Sequence, residues 1–314
     1  MQVGLVYQDR KRWPKFVWVH QALERLGHSV VRCTSIADVQ SANGAVDLLL
    51  FEQRNAGLCE FDLLKIGKHP DTVWAQWWFD LLSRDEGHLE KAFGPIMQKM
   101  DVLFTKGGDL FAGHGVADRR YLDQGCPSDM PQCEHHDEPE FDAMIVGSMT
   151  KHYLDRQIAA HMLTGAGLRV AVIGGMGIIP RGVENIGWVD PLDMSAHFSR
   201  AAVVIHSDIT NDVAGYRSDA FWLKMGAGAC VVAQEGAGNI QSVRQDVAYL
   251  TYSEPLGLLA AVKELRRDAA MRRRVGENAR RYTMASRTYE TQCAELIDDV
   301  ERIKRQQAVP NLSR

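Results

Sequence analysis

Short apolar runs alternate with amphipathic stretches along nearly the whole chain, and glycine, proline or polar residues bound each run. Val3 to Tyr7 reads as a strand, Val17 to Leu26 as a helix stopped at Gly27, and Ser29 to Cys33 and Val46 to Phe51 as further strands. Phe61 to Lys65 predicts a helix, Val73 to Trp77 a strand, His88 to Met100 a helix and Val102 to Thr105 a strand. Continuous rather than alternating apolar runs predict strands buried on both faces, in a parallel sheet covered by helices.

Between Gln124 and Glu140 the rhythm fails. The stretch QGCPSDMPQCEHHDEPE holds three prolines and several acids without periodicity, which predicts a solvated linker. The rhythm then restarts with a strand at Ala143 to Val146, a helix from Asp155 to Leu163, and strands at Arg169 to Ile173 and Ile186 to Val189. A helix from Pro191 to Arg200, a strand at Val203 to His206, a helix from Ser218 to Met225 and a strand at Cys230 to Ala233 follow, and helices fill Leu256 to Gln307. Two successive α/β halves imply a cleft between them, with ligands beyond the carboxyl ends of the strands. The chemistry is therefore expected in the loops that follow strands.

Length agrees with this division, since 314 residues make two domains at about 150 residues each. A composition of 46% hydrophobic and 24% charged residues excludes disorder for most of the chain. Lys and Arg total 36 against 40 Asp and Glu, a net charge of −4, which excludes a globally basic nucleic-acid binder but not a local basic groove. The run Val3 to Tyr7 is too short for a signal-peptide core or a membrane span, and six scattered cysteines suit reduced thiols. A cytoplasmic protein is expected.

Five constellations carry candidate chemistry. AVIGGMGIIPRG places Gly175 and Gly177 after a strand, as in a dinucleotide fingerprint, but Pro180 stands where the third glycine should open a helix. In IVGSMTKHYLDR, the Gly147-Ser148 turn frees backbone amides, and Lys151 and Arg156 follow where a helix begins, a set suited to a diphosphate. Tyr216, Arg217, Ser218 and Asp219 gather hydroxyl, guanidinium and carboxylate groups at another helix start, although Ser218 or Asp219 alone reads as an ordinary cap. In VWAQWWFD, Trp74, Trp77, Trp78 and Phe79 exceed what one strand is expected to bury, so some should line the cleft. Asp80 follows as a candidate general base or, on burial statistics, an exposed cap. Cys126, Cys133, His135 and His136 are zinc-type ligands whose spacing fits no standard finger, so no metal is assigned to them. The sequence holds no GxSxG elbow, P-loop or HExxH motif.

The order of FDAMIVGS, VAVIGG, NIGWVDPLDMSAHFSRAAVVIH and YRSDAFWLKMGAGACVV, closed by LLAAVKELRRDAAMRRRVGENARRYTMASRTYETQCAELI, resembles the GT-B glycosyltransferases. The nearest likeness is to the group-1 branch with CgeB-like members and bacteriophage-encoded relatives. The first half is matched by its βαβ rhythm and by DVLFTKGGDLFAGHG. The resemblance implies an α/β, GT-B architecture of two Rossmann-like domains facing a central cleft. Residues 1–137 would form the acceptor domain, 138–285 the nucleotide-sugar domain, and 286–314 a C-terminal helix returning to the first domain.

It also implies a nucleotide-sugar co-substrate, a UDP-sugar, with no cofactor and no metal. Gly147, Ser148 and Lys151 would lie by the diphosphate, Gly174 and Gly175 would line the same cleft, and Trp188 would sit near the base. Tyr216, Arg217, Ser218 and Asp219 would face the sugar and phosphates. Lys151 and Arg217 would stabilise the departing nucleoside diphosphate, while Asp80, or else His114, would deprotonate the acceptor. Many group-1 members carry two glutamates eight positions apart around this helix. Here Asp219, Phe221 and Lys224 stand without such a pair, so the resemblance does not fix retention or inversion.

Phage-encoded relatives direct attention to a hydroxymethylated pyrimidine in DNA as the acceptor, flipped against Trp77 and Trp78. Arg12 and Trp13, within the basic cluster of Arg10, Lys11, Arg12 and Lys15, would then follow the phosphate backbone. A carbohydrate or protein acceptor, and a catalytically silent GT-B-like binding protein, are the alternatives.

Overall fold

A computed structural model of the chain describes residues 1–7, 15–52, 58–79, 95–106, 118–208, 216–236 and 248–308. The chain forms two compact units, the first made of Met1–Gln124 with Tyr289–Arg314 and the second of Gly125–Thr288.

The first unit contains β1 (Gln2–Val6), α1 (Lys15–Arg25), β2 (Ser29–Cys33), α2 (Ile36–Ala42), β3 (Leu48–Glu52), α3 (Glu60–Lys65), β4 (Val73–Trp78), β5 (Val102–Thr105) and β6 (Arg119–Tyr121). All six strands pair in parallel in the order β2-β1-β3-β4-β5-β6. Every residue of β3, β4 and β5 is buried, as unbroken apolar runs require. The sequence pattern did not announce α2, which starts with a capping box: Ser35 Oγ accepts from Asp38 N while the Asp38 carboxylate accepts from Ser35 N.

The aromatics of β4 correct the sequence reading. Trp74, Trp77, Trp78 and Phe79 are all at most 2% exposed, so Trp77 and Trp78 present no open stacking surface. A strand inside a covered sheet sends successive side chains to opposite faces and buries both sets. Trp74 meets the Phe51 ring at 5.3 Å among residues of α2 and α3, whereas Trp77 meets Phe79, which in turn meets Phe16 of α1 at 5.4 Å.

The second unit contains β7 (Ala143–Val146), a 3₁₀ turn (Lys151–Tyr153), α4 (Leu154–Gly165), β8 (Val170–Ile173), β9 (Val183–Gly187), α5 (Met194–Phe198) and β10 (Val204–His206). It continues through α6 (Asp219–Gly226), β11 (Val231–Gln234), β12 (Leu250–Tyr252), α7 (Pro255–Arg267) and α8 (Ala269–Ser286). Its parallel order β12-β11-β10-β7-β8-β9 is that of a dinucleotide-binding domain, with the winding reversed between β7 and β10.

The last helix, α9 (Tyr289–Ala308), belongs to the first unit. Tyr289, Cys293, Leu296, Ile297, Val300 and Ile303 form its buried stripe at helical spacing. Its contacts include the Tyr289 ring on Trp18 of α1 at 5.6 Å, and Glu290 paired with Arg25 at 2.7 Å. Among the described residues no helix is long and apolar enough to cross a membrane.

The segment expected to be a solvated linker is an ordered strap on the second unit. Cys126 N donates to Arg287 O and Cys133 N to Ala227 O, each at 2.8 Å, while Arg280 holds Met130 O at 2.9 Å. His135 Nε2 donates to Gly228 O at 2.8 Å over Gly276, where an added Cβ would stand 2.2 Å from that same oxygen. The strap lacks periodicity because its partners are the ends of distant helices, not a neighbouring sheet. Arg272 is its main anchor: 1% exposed, it donates to the carbonyls of Leu265, Arg266, His136 and Asp137 at 2.6 to 3.2 Å. Arg272→Ala strands these acceptors and should cost roughly 2–4 kcal/mol, lowering the unfolding midpoint in calorimetry by several degrees. An unchanged midpoint would show that the strap adds nothing to the unit.

Candidate active site

The carboxyl ends of β7 and β10 lie side by side where the second sheet reverses its winding. Open α/β sheets hold their ligands at such a crevice. Strand β7 runs into Gly147-Ser148, and β10 into Ser207-Asp208. Gly147 has φ +116°, and a Cβ there would stand 2.3 Å from Arg156 Nη1, so both its turn and its neighbour require glycine. From the first turn of α4, the Arg156 guanidinium reaches across the gap. It donates to Ser148 O at 3.2 Å, to Ser207 O at 2.7 Å and to Ser207 Oγ at 3.2 Å. One cation thereby ties together the two strand ends.

The loop after β8 is zipped to the loop after β7 by backbone bonds, Met149 N to Met176 O at 2.6 Å and Ile178 N to Met149 O at 3.3 Å. Gly174 and Gly175 begin this second loop, beside Gly147 and Asn185 respectively.

On the other side of β10, Asp208 organises the start of α6. Its Oδ2 accepts from Arg217 Nη1 at 3.0 Å and its Oδ1 from Ser218 N at 2.9 Å. His206 Nε2 lies 3.0 Å from Asp208 Oδ1, and Lys224 Nζ lies 3.1 Å from His206 Nδ1 and 3.0 Å from Ile205 O. Lys224 donating to Nδ1 leaves the proton of the neutral imidazole on Nε2, which lies near the Asp208 carboxylate without making a hydrogen bond. Arg156, His206, Asp208, Arg217 and Lys224 are all at most 7% exposed.

Burial sets the electrostatics. It pushes the His206 imidazole down to about 3 and lowers Lys224 well below an ordinary amine, the latter with help from Arg156. Burial opposes ionisation of Asp208 as well, but His206, Arg217 and the Ser218 amide outweigh it and hold the carboxyl well below its usual range. Three basic side chains thus share the site with Asp208 and with Asp219 at the start of α6, beside amides of a glycine turn and a helix N-terminus. Such a cradle can take an anion with more than one charged oxygen.

Most residues expected around a donor come together at this carboxyl edge: Gly147, Ser148, Gly174 and Gly175 in the zipped loops, and Tyr216, Arg217, Ser218 and Asp219 at the start of α6. Lys151 is exposed on the 3₁₀ turn, and the cation that spans the strand ends is Arg156. Trp188 follows β9 with 47% of its surface exposed. Asp80, His114, Arg12 and Trp13 lie outside the described residues. His206, Asp208 and Lys224 escaped the sequence reading, although a histidine and an aspartate closing the apolar run VVIHSD were a usable signal. Cys126, Cys133 and His135 serve the strap, and among the described residues no group of three His, Cys, Asp or Glu side chains is placed to hold a metal ion.

Residues 151–298 match a family model described as glycosyl transferase-like. No curated protein matches the chain. Solved structures share its fold over nearly its whole length. Sucrose-phosphate synthase from Thermosynechococcus elongatus aligns with a TM-score of 0.69 and 12% identity, covering 98% of this chain and 100% of that one. Anabaena HepE in complex with UDP and glucose gives 0.66 and 12%, covering 96% and 99%. A glycosyltransferase from Rickettsia africae gives 0.66 and 9%, covering 96% and 98%.

The buried network makes a pH prediction. An unfolded imidazole takes up its proton near 6.5, whereas His206 in the folded protein resists down to about 3, so stability is lost as pH falls below 6.5. His206→Gln keeps two polar atoms but does not titrate. Its unfolding midpoint should therefore fall less steeply on acidification than that of the parent, and parallel curves would exclude this role.

Proposed function

We propose that this GT-B glycosyltransferase of the group-1 type transfers a sugar from a UDP-sugar, held by the second unit, to an acceptor hydroxyl. The observation that carries this reading is the set of buried cations at the reversal between β7 and β10, where Arg156 ties the strand ends and Arg217 stands at the start of α6. A pyrophosphate there would receive two guanidinium groups, the amides of the Gly147 turn and the N-terminus of α6. Charge that builds on the departing UDP would then meet donors already in place, which is the largest contribution such a site can make. Trp188 offers a partly exposed ring beyond β9 for the base. HepE has been solved with UDP and glucose, which makes UDP-glucose the first donor to try.

For the acceptor, a hydroxymethylated pyrimidine in DNA now rests on the basic cluster Arg10, Lys11, Arg12 and Lys15 alone, since Trp77 and Trp78 are buried.

Titration calorimetry tests the donor. UDP and UDP-glucose should bind, and Arg217→Ala should weaken binding at least about tenfold through loss of a charge-assisted contact; failure of the parent to bind either nucleotide removes the reading. A second experiment offers labelled UDP-glucose with hydroxymethylated duplex, plain duplex and an oligosaccharide. Label in the modified duplex alone supports the DNA acceptor, and label in the oligosaccharide alone rejects it.

A further inference from the structure

Two arginines carry the donor reading, and each guanidinium lies over an aromatic ring from its own stretch of chain. From the central guanidinium carbon to the ring centroid, Arg217 stands 5.2 Å over Phe221 and Arg156 stands 4.0 Å over Tyr153. Phe221 is 1% exposed and packs among the rings of His206, Trp222 and Tyr249, so the core accounts for it. Tyr153 stands outside the core. It ends the 3₁₀ turn, is partly exposed, and makes no side-chain cap bond to α4. Its position three residues before Arg156, about one helical turn away, sets the ring and the guanidinium one above the other.

The bonds of Arg156 define what the ring adds. A guanidinium carries five N–H donors, all in its own plane. Nε and Nη2 are engaged by Ser207 Oγ and O, and one hydrogen of Nη1 by Ser148 O, which leaves one N–H on each terminal nitrogen for a ligand. Bonds to carbonyl and hydroxyl oxygens tolerate a broad range of directions, so these three anchor the edges but let the plane tilt. A ring stacked on the face opposes that tilt. It also keeps water from the face without touching the N–H edges, so an incoming anion meets the charge in a medium that screens it less. Arg156 can therefore be 7% exposed and still serve a ligand, because the part the ring covers donates nothing.

Resting on the donor reading of this same site, we infer that Tyr153 is a positioning residue for the pyrophosphate. Its ring holds the plane of Arg156 with the two remaining N–H groups set for the anion.

Calorimetric titration of the whole protein with UDP tests this on the parent, Tyr153→Leu and Tyr153→Phe, with uridine measured by displacement of UDP. Tyr153→Leu keeps an apolar side chain on the turn but offers no ring face, and it should bind UDP roughly fivefold to tenfold more weakly. Uridine brings no phosphate to Arg156, so its affinity for that variant should stay within about twofold of the parent's. Tyr153→Phe keeps the ring and should bind UDP within about twofold of the parent. A Tyr153→Leu variant that binds UDP as tightly as the parent overturns the inference and leaves the donor reading intact. Equal losses for uridine and UDP also overturn it, because the ring would then serve the nucleoside or the loop as a whole. So does a Tyr153→Phe variant as weak as Tyr153→Leu, which would assign the effect to the hydroxyl. A parent that fails to bind UDP overturns the donor reading, and this inference with it.

Discussion

A single buried carboxylate, Asp208, is the point on which the second unit's chemistry turns. It stands where the sheet reverses, among Arg217, His206 and the first amides of α6, with Arg156 and Lys224 close behind. Remove its charge and the basic groups repel one another inside a medium that screens poorly. Keep it, and the groups it bonds acquire a fixed direction: the Arg217 guanidinium through one oxygen and the start of α6 through the other. Ion pairs buried to this degree are weak sources of stability, because desolvation takes back most of what attraction provides. What they supply instead is orientation that is already in place before a ligand arrives.

The backbone around this carboxylate is under a different constraint, that of space. Gly147 gives way to a guanidinium, and Gly177 lies so close to the Met149 carbonyl that a Cβ would stand 2.5 Å from its oxygen. These contacts let the loops after β7 and β8 bond to each other as short strands would. The floor of the site is therefore main chain that admits no side chain at Gly147 or Gly177, and the exposed Met176 and Ile178 stand on it as replaceable fittings.

Much of this was legible in the sequence, and the failures have physical causes. Both parallel sheets could be read because strands covered on two faces must be apolar throughout, as LLLFE in β3 and AMIV in β7 are. The edge strand β6, Arg119–Tyr121, could not, because its three residues, two arginines and a half-exposed tyrosine, form no apolar run. Counting aromatics on β4 misled because the count ignored that a covered strand has two buried faces. In the site, Lys151 and Arg156 were equally visible as cations near a helix start. Only the fold distinguishes them, by turning the first outward on a 3₁₀ turn and the second back over the sheet. Lys224 is the hardest case: its position in α6 looks like a polar break in an apolar helix, and its meaning depends on His206 and Asp208, which lie far from it in sequence.

The first unit is built from two separated pieces of chain, with the whole of the second unit threaded between them. During synthesis this inverts the usual order in which domains mature. The ribosome delivers the first sheet early but withholds α9, whose apolar stripe includes Leu296, Val300 and Ile303, until the continuous second unit has already emerged. The amino-terminal half must therefore wait with Trp18 and Val19 of α1 uncovered, residues that are at most 5% exposed in the finished protein. A helix made after the whole second unit is the one that closes the unit begun before it, so premature termination within α9 would damage a sheet that had been translated earlier.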